Sequence, residues 1–550
     1  MKLGGRELAI IAAVIIVIII VAVAVVFVQY PIVPEKRLLR WSEANVPELD
    51  PAIGSDYSGS VSYVNLYDTL VYPATNGTSL PHLATNWTIS SDGLNWTFNL
   101  RQGVKFHDGS ELTAEDVVFS MERIITVGRG YSYLFRGWVN QSIAVGNYTV
   151  KFVLNKSYGP FLTVLSRLYI LNKDLVMEHL QPGLINFPGY FDYGTGWLLS
   201  NDAGSGPYKV KDFRKEEYVV FEKFTDYWGT FKPNAPDELK LYGITVPTTI
   251  RTMVTNRELE ITDQWQTVEN LDVMDQITGV DIASFPAGSV FFYMIHTRKP
   301  PTDDIHFRKA MAYAMNYTAV VTILFPGCPI ARGPIPSILP GFDPTVPRYE
   351  MNLTKAHQEL ALSKYAANYT QYEIEVHWCA EVPDEERVAN LFAENMAAVG
   401  IDVAVERTPW LTMIDEMAHM ETAPHIETIF VAPHYAEAGS MLESRYHSKS
   451  TTTWEQNEWL LNDTIDSMIE DAIATINQTE RFQKYSQIQH LIVEMCPSIF
   501  MFEQLEKHAY QSYYVDWYAA EGIQYVNSVM GYNLDFKNIE VDIAKKKELT

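Results

Sequence analysis

Three cysteines, Cys328, Cys379 and Cys496, are the first candidates for chemistry in this chain of 550 residues. They lie far apart, whereas structural zinc sites and disulfide-rich scaffolds place cysteines at short, repeated spacings. The spacing therefore excludes the common zinc motifs. Two alternatives stay open: one disulfide with a spare thiol, or three buried thiols.

The sequence contains no short catalytic motif. The patterns GxSxG, HExxH, GxxxxGK[ST] and GxGxxG, which mark nucleophile elbows, zinc proteases and phosphate-binding loops, are absent. The 13 histidines do not cluster, and 67 acidic residues offer carboxylate pairs by chance. The chain is rich in aromatic residues instead, with 12 Trp, 32 Tyr and 25 Phe. Such residues build cores, and they also line clefts that stack on sugars or pack on peptides.

Strands and helices alternate along the chain and would position any such cleft. Residues 372–378 alternate apolar and polar side chains, which predicts a strand. A helix is expected to open at Pro383 and Asp384 and to end at Gly400, and a second strand to begin at Ile401. This order predicts a βαβ unit with parallel strands and a right-handed crossover.

The remaining patterns agree with an α/β or mixed α+β class. Thr113 is expected to cap a helix with Asp116 as its acidic partner. Further strands are predicted at 96–106, 148–154 and 218–224, and one long helix at 472–495.

The N-terminal segment from Leu8 to Val28 is an uninterrupted apolar run of 21 residues. At ~1.5 Å per residue, such a helix spans a hydrocarbon core of about 30 Å. Lys2 and Arg6 precede it, which favours an inside N-terminus and an outside body. We predict an uncleaved anchor; a cleaved secretory signal is the alternative. No cysteine near this run offers lipid attachment.

Charge and glycosylation motifs indicate an exterior, acidic protein. The formal net charge of −25 argues against a nucleic-acid partner, whose binding surface would be basic. Eleven Asn-x-Ser/Thr acceptors follow the anchor, a density that suits a glycosylated cell surface such as that of an archaeon. An Asn- and Thr-rich composition without sugars is the alternative. The acceptors are Asn76, Asn86, Asn95, Asn140, Asn147, Asn155, Asn316, Asn352, Asn368, Asn462 and Asn477.

One long motif carries a family resemblance. Residues 83–123 read LATNWTISSDGLNWTFNLRQGVKFHDGSELTAEDVVFSMER and resemble the signature of the family 5 extracellular solute-binding proteins. Shorter matches follow at 204–209 (GSGPYK), 221–228 (FEKFTDYW), 307–316 (FRKAMAYAMN) and 333–336 (GPIP). The resemblance covers roughly residues 38–518.

The resemblance implies a two-lobed flytrap with an inserted extra domain, which closes on its ligand by hinge motion. It implies a monomeric, non-enzymatic receptor without a cofactor, which delivers peptide or oligosaccharide to an ABC permease and its ATPase. The expected division is an anchor at 1–30, a first lobe at 37–75 and 204–300 with a C-terminal return at 496–545, an inserted domain at 76–203, and a second lobe at 301–495.

Two histidines fall where the family's ligand residues are expected. Peptide binders of the family usually place an Asp where His434 stands, and that Asp pairs with the ligand's α-amino group. A His cannot supply a fixed negative charge, so Glu437, three residues on, is a candidate substitute. His296 stands where the family often has Asn. A neutral, hydrogen-bonded core residue is the alternative for each His.

Aromatic residues complete the candidate ligand site. Tyr57 follows the first loop, and Trp265 follows a segment that reaches the cleft in relatives. Trp410 follows the second βαβ strand. Tyr133 and Trp138 lie in the inserted domain. Burial in the core is the alternative for each of them.

Two other functions stay open at this stage. A receptor of the same fold could signal or adhere without feeding an importer, because fold does not fix function. An exterior hydrolase acting on peptides or glycans is the second alternative, although no nucleophile is apparent.

Overall fold

The computed structural model describes residues 35–549, apart from 55, 184, 245, 383, 524 and 526–529, together with positions 13, 15 and 16. The predicted anchor, Leu8 to Val28, therefore lies outside the described residues except at those three positions. In the described part of the chain, no helix is both long and apolar enough to cross a membrane.

The strands, in chain order, are β1 (Leu38–Glu43), β2 (Val71–Pro73), β3 (Ser79–Pro81), β4 (Ala84–Ile89), β5 (Asn95–Leu100), β6 (Val139–Gly146), β7 (Thr149–Leu154), β8 (Tyr208–Arg214), β9 (Tyr218–Lys223), β10 (Glu238–Gly243), β11 (Asp281–Ile295), β12 (Glu373–Cys379), β13 (Asp402–Thr408), β14 (Ile426–Val431), β15 (Ser498–Tyr510), β16 (Val515–Asp516) and β17 (Glu540–Val541).

The α-helices span Tyr57–Leu66, Ala114–Val127, Phe161–Val164, Lys173–Glu178, Thr195–Leu198, Pro247–Thr255, Val268–Met274, Ile305–Ala314, Tyr317–Ala319, Leu353–Leu362, Asp384–Ala397, Trp410–Met417, Ala438–Tyr446, Asp463–Ala474, Gln478–Met495 and Ile543–Leu549. Shorter 3₁₀ or π turns lie at Gly130–Leu134, Leu165–Arg167, Val320–Leu324, Tyr369–Gln371, Ser448–Ser450, Tyr532–Leu534 and Phe536–Asn538.

Two sheets form the cores of two lobes. The first lobe is built on a four-stranded sheet in the order β1-β10-β9-β8, with β1 parallel to β10. The second lobe is built on a five-stranded sheet in the order β13-β12-β14-β11-β15. Its apolar core packs the helix Asp384–Ala397 against the sheet, with Phe291, Tyr293 and Phe392 fully buried. The mixed α/β class is therefore confirmed.

The predicted βαβ unit is present in the second lobe. β12 runs parallel to β13, and the helix Asp384–Ala397 connects them. Gly400 adopts a left-handed φ of 78° after that helix, a conformation that favours glycine. Pro383, where the helix was expected to open, lies outside the described residues.

Two local predictions need correction. The predicted single helix over 472–495 is wrong, because Asn477 starts a new helix by accepting the backbone N–H of Glu480. The predicted strand over 96–106 ends at Leu100, before a turn in which Gly103 has a φ of 72°. The capping pair is confirmed, since the Asp116 carboxylate accepts the Thr113 backbone N–H at 2.8 Å.

All three cysteines are free and buried, so the disulfide alternative is wrong. Burial raises the pKa of Cys379 to about 12 and that of Cys496 to about 11. These thiols therefore stay protonated and unreactive near neutral pH.

Two long antiparallel strands, β11 and β15, connect the lobes. The C-terminal part of β11, from Val290 to Ile295, and the N-terminal part of β15 belong to the five-stranded sheet, while Asp281 pairs with Tyr510 at the other end of the two strands. Tyr510 is joined through Ile261 to Trp41 of the first-lobe sheet by isolated bridges. The pairing is irregular between Pro286 and Val290. This pair of strands forms the two chain crossings at which a hinge would act.

A third sheet, β4-β5-β7-β6, is antiparallel throughout and forms the inserted body. One of its faces buries Trp96, Phe98 and Phe152. The architecture is thus a two-lobed fold with an extra body, and the residue boundaries given above for these parts stay predictions.

Candidate ligand-binding cleft

A cavity of about 720 Å³ lies where the inserted body meets the second lobe. Its size falls within the range of about 300–1,000 Å³ that is usual for small-molecule sites. The inserted body contributes residues 130–138 and Tyr158, and the second lobe contributes the chain from His434 to Glu455. The lining residues with aromatic or charged side chains are Tyr133, Arg136, Trp138, Tyr158, His434, Tyr435, Glu443, Lys449, Trp454 and Glu455.

Aromatic rings form much of the cavity wall. Tyr133 is 45% exposed, and its ring meets the His434 ring edge-on with 5.2 Å between centroids. Trp138 stacks on Tyr158 at 4.2 Å. These contacts hold the rings in place, and the exposed part of Tyr133 is surface that a ligand can cover.

His434 is fixed from three sides. Its Nε2 lies 2.8 Å from Oε1 of Glu455, and its backbone N–H donates to the Ser440 hydroxyl at 2.7 Å. Its carbonyl accepts the Arg167 guanidinium Nε–H at 2.9 Å. Arg167 also donates to Ser60 in the first lobe, so Arg167 links the second lobe to the first.

Glu455 provides the fixed negative charge at the back of the cavity. Burial alone would raise the pKa of its carboxyl, but the pairing with His434 lowers that pKa below its ordinary value. Glu455 therefore stays ionised around neutral pH. Glu443, paired with Lys449, adds a second carboxylate and a cation to the same wall. The cavity thus presents both signs of charge.

A smaller cavity of about 100 Å³ lies between the Trp265 segment and the second lobe. Trp265 is half-exposed there and faces Glu381 and Phe430 among other residues. Trp410 lies between the two cavities: its backbone N–H donates to Glu381 at 3.0 Å, and its ring contacts Trp454 edge-on at 5.3 Å. Tyr133, Trp138 and His434 thus line the large cavity, Trp265 lines the small one, and Trp410 contacts one lining residue of each.

Three other candidates do not line either cavity. The Tyr57 hydroxyl donates to Glu506 on β15 at 2.7 Å. His296 is buried in the second lobe, where its Nδ1 accepts the Arg298 backbone N–H at 3.0 Å and its Nε2 donates to the Met420 carbonyl at 3.1 Å. Glu437 is buried against Arg481.

The sequence patterns did not single out Trp454, Glu455, Glu443 or Arg167. Trp454, Glu455 and Arg167 stand in turns, where no periodicity assigns a face. Glu443 lies on the helix Ala438–Tyr446, most of whose residues are buried, so its pattern marks no single exposed face. The one available signal was the adjacent Trp454-Glu455 pair, since aromatic and charged neighbours in a loop often serve binding.

The buried His296 is expected to make the folded protein less stable at acidic pH. Burial lowers the pKa of its imidazole to about 4 from the ordinary 6.5, so the unfolded chain takes up a proton that the folded chain refuses. The free energy of unfolding is expected to fall by up to about 3 kcal/mol as the pH drops from 6.5 to 4. Urea unfolding at pH values across this range measures the free energy of unfolding.

The variant His296→Asn is expected to flatten this pH profile, because its amide does not titrate. His419→Asn is the matched control, since His419 is exposed and its loss leaves the slope unchanged. An identical slope in wild type and His296→Asn would contradict the assignment.

Comparison with known proteins identifies the family. The profile of the bacterial extracellular solute-binding proteins, family 5, middle region, matches residues 79–449, about two thirds of the chain. The chain belongs to this family. It is accordingly a solute-binding protein and not an enzyme, which removes the hydrolase alternative.

Several family 5 relatives align over most of the chain. A probable D,D-dipeptide-binding periplasmic protein of Escherichia coli K12 is 27% identical, covering 87% of this chain and 90% of its own length. Heme-binding protein A of Haemophilus influenzae is 24% identical, covering 81% and 82%. The solved structure of the periplasmic binding protein DppA from Helicobacter pylori, in complex with the peptide STSA, has a TM-score of 0.76 at 23% identity, covering 92% and 98%. The last comparison supports the two-lobed fold.

An ion pair on the cleft rim is expected to slow ligand release in this family 5 protein. Arg387 of the second lobe donates to Glu269, on the helix Val268–Met274, at 2.9 Å. Both side chains are exposed, so the pair contributes about 0.2–1 kcal/mol to closure. Arg387→Ala should speed release of bound ligand at most about fivefold at low salt. Stopped-flow dissociation measures this rate.

The rate difference should shrink in high salt, which screens exposed charges. Arg348→Ala is the control, because Arg348 pairs with Glu350 within the second lobe and not across the cleft. Equal rates for wild type and Arg387→Ala at low salt would rule out a role for this pair in closure.

Proposed function

We propose that this protein captures short peptides in the interlobe cavity and delivers them to an ABC permease. The cavity of about 720 Å³, which carries aromatic walls and both signs of charge, is the observation on which the proposal rests. A short peptide has a cationic and an anionic terminus joined by an amide backbone. Carboxylates and cations set in one cavity complement both termini.

Glu455 can supply the negative charge that His434 lacks. His434 cannot hold an ammonium group, but it holds Glu455 at 2.8 Å, and Glu455 lines the cavity. The negative charge is thus supplied from another part of the chain. Lys449, from the second lobe, and Arg136, from the inserted body, both line the cavity and are the candidate partners of a peptide carboxylate. Peptide names among the relatives support this ligand class.

An oligosaccharide is the second candidate ligand. Tyr133, Trp138 and Trp454 line the cavity together, and aromatic faces of this kind stack on sugar rings. Sugars carry no charge, so a sugar ligand would form no ion pair with the carboxylates and cations that line the cavity. This difference makes peptide the stronger proposal.

We also propose that the apolar segment from Leu8 to Val28 is a single-pass membrane anchor. It would hold the body outside the cell and near its permease, in place of a lipid attached to cysteine. Replacing Ile15 and Ile18 by Asp should release the protein into the soluble fraction, because charges at the centre of a membrane helix are costly. Membrane fractionation with alkaline washing measures the release.

The ligand class is tested on the full-length protein in detergent. Native mass spectrometry identifies what copurifies, and calorimetric titration with dipeptides to hexapeptides and with α- and β-linked oligosaccharides measures affinity. Saturable binding of peptides supports the proposal. Binding of oligosaccharides alone selects the second candidate, and binding of neither class overturns both.

A further inference from the structure

The inserted body concentrates the glycosylation motifs on one sheet. Of the eleven acceptors, Asn86, Asn95, Asn140, Asn147 and Asn155 lie in or directly beside the sheet β4-β5-β7-β6. Five acceptors in a stretch of 70 residues is a density that the rest of the chain does not reach. The sheet is therefore the part of the molecule to examine for modification.

The two outer strands of this sheet each carry an exposed acceptor. Among the described residues, β4 pairs in this sheet with β5 alone and β6 with β7 alone, so both leave an edge. Asn86 is exposed on β4, and Asn140 is exposed on β6 at an irregularity in the pairing with β7. Asn147 is exposed in the turn between β6 and β7. These three exposed acceptors thus lie on both edge strands of the sheet and in one of its turns.

These edges also expose apolar side chains. Ile89 on β4 is 40% exposed, and Val145 on β6 is 62% exposed. An exposed edge with apolar residues is a template for pairing with another chain, and natural proteins block such edges. Charged residues, proline or a bulky attachment can serve as the block. A hydrated glycan on the edge strand would serve the same purpose.

We infer that Asn86, Asn140 and Asn147 are N-glycosylated and that their glycans shield the edges of the inserted sheet. In the reaction the side-chain Nδ2 attacks the anomeric carbon of a lipid-pyrophosphate-linked oligosaccharide. The C–N bond forms, the C–O bond to pyrophosphate breaks, and an amide proton passes to a base of the transferring enzyme. The inference rests on the exterior location of the body in the proposed function.

Two other acceptors, Asn462 and Asn316, are expected to remain unmodified. Asn462 is half-buried, caps a helix by accepting the Thr464 and Ile465 N–H groups, and has its Nδ2 packed 3.8 Å from the Met495 sulfur. Asn316 is half-buried and accepts the Ala319 N–H. Attack by the Asn462 Nδ2 would require it to leave its contact with Met495, and modification of Asn316 would disturb a half-buried helix cap. The Asn-x-Ser/Thr motif is therefore expected to be glycosylated at some positions of this chain and to stay unmodified at others.

The test is glycopeptide mass spectrometry on full-length protein isolated from its native membranes. Glycans on Asn86, Asn140 and Asn147, with bare Asn316 and Asn462, are expected. Bare residues at Asn86, Asn140 and Asn147, or equal occupancy at Asn316 and Asn462, would overturn the inference. Peptide titration on the same sample reports on the proposed function separately, because it does not depend on which asparagines carry sugar.

Shielding itself is tested by the triple variant Asn86→Gln, Asn140→Gln and Asn147→Gln in the native host. It should lose the mass of three glycans and show a larger aggregated fraction in size-exclusion chromatography. Asn316→Gln is the matched control and should lose no glycan mass. A triple variant that stays as monodisperse as wild type would overturn the shielding role.

Discussion

Tyr133→Ala is expected to weaken ligand binding by about tenfold to hundredfold. The Tyr133 ring is 45% exposed in the cavity and stands edge-on to His434. A ligand that covers this ring removes its apolar surface from water, which contributes about 1.5–3 kcal/mol for a side chain of this size. Calorimetric titration of wild type and variant with the tightest peptide measures the loss.

Two controls separate a ligand contact from a structural defect. Tyr133→Phe keeps the ring and should retain most of the affinity. Tyr513→Ala removes a tyrosine of similar exposure, 40%, that lies away from the cleft beside Glu548, and should leave binding unchanged. Wild-type affinity in Tyr133→Ala with an unchanged melting temperature would show that the ligand does not reach this wall.

Closure of the lobes explains why the cavity wall comes from distant parts of the chain. Tyr133 and Trp138 belong to the inserted body, whereas His434 and Glu455 lie between β14 and β15 of the second-lobe sheet. Arg167 joins the two sides by donating both to Ser60 and to the His434 carbonyl. Opening of the lobes at β11 and β15 would break this contact and separate the cavity walls. A ligand that contacts both walls would therefore favour the closed arrangement of the lobes.

Local features of the fold were predictable because each depends on neighbouring residues. The parallel pair β12 and β13 follows from period-two alternation on either side of a helical stripe. The helix capped by Thr113 follows from a carboxylate three residues on. The break at Asn477 was missed, because apolar residues continue across it and the cap signal was outweighed by periodicity.

The cleft was only partly predictable, because its contacts join residues far apart in sequence. Tyr133, Trp138 and His434 were chosen through the family resemblance, and the fold brings them to one cavity. The pairing of His434 with Glu455 crosses 21 positions through an irregular loop, for which no local rule assigns a partner. Proximity in sequence suggested Glu437 instead, and tertiary packing places that carboxylate elsewhere.

Glu437→Ala is expected to lower the free energy of unfolding by about 3–5 kcal/mol, because it leaves a buried guanidinium without its partner. The two carboxylate oxygens of Glu437 accept Arg481 Nε–H and Nη2–H at 2.7 and 2.8 Å, and Oε1 also accepts the Tyr485 hydroxyl at 2.8 Å. Both members of the ion pair are almost completely buried. Urea unfolding followed by tryptophan fluorescence measures the change.

The same variant separates the two roles considered for Glu437. If it holds the second lobe together, the folded fraction of Glu437→Ala binds peptide with wild-type affinity although it unfolds at lower urea. Glu480→Ala is the matched control: Glu480 pairs with Lys484 at 3.5 Å on the exposed side of the same helix as Arg481, so its loss should cost about 0.5 kcal/mol or less. A Glu437→Ala protein of wild-type stability that no longer binds peptide would instead make this carboxylate a ligand contact and would place the ammonium site behind His434.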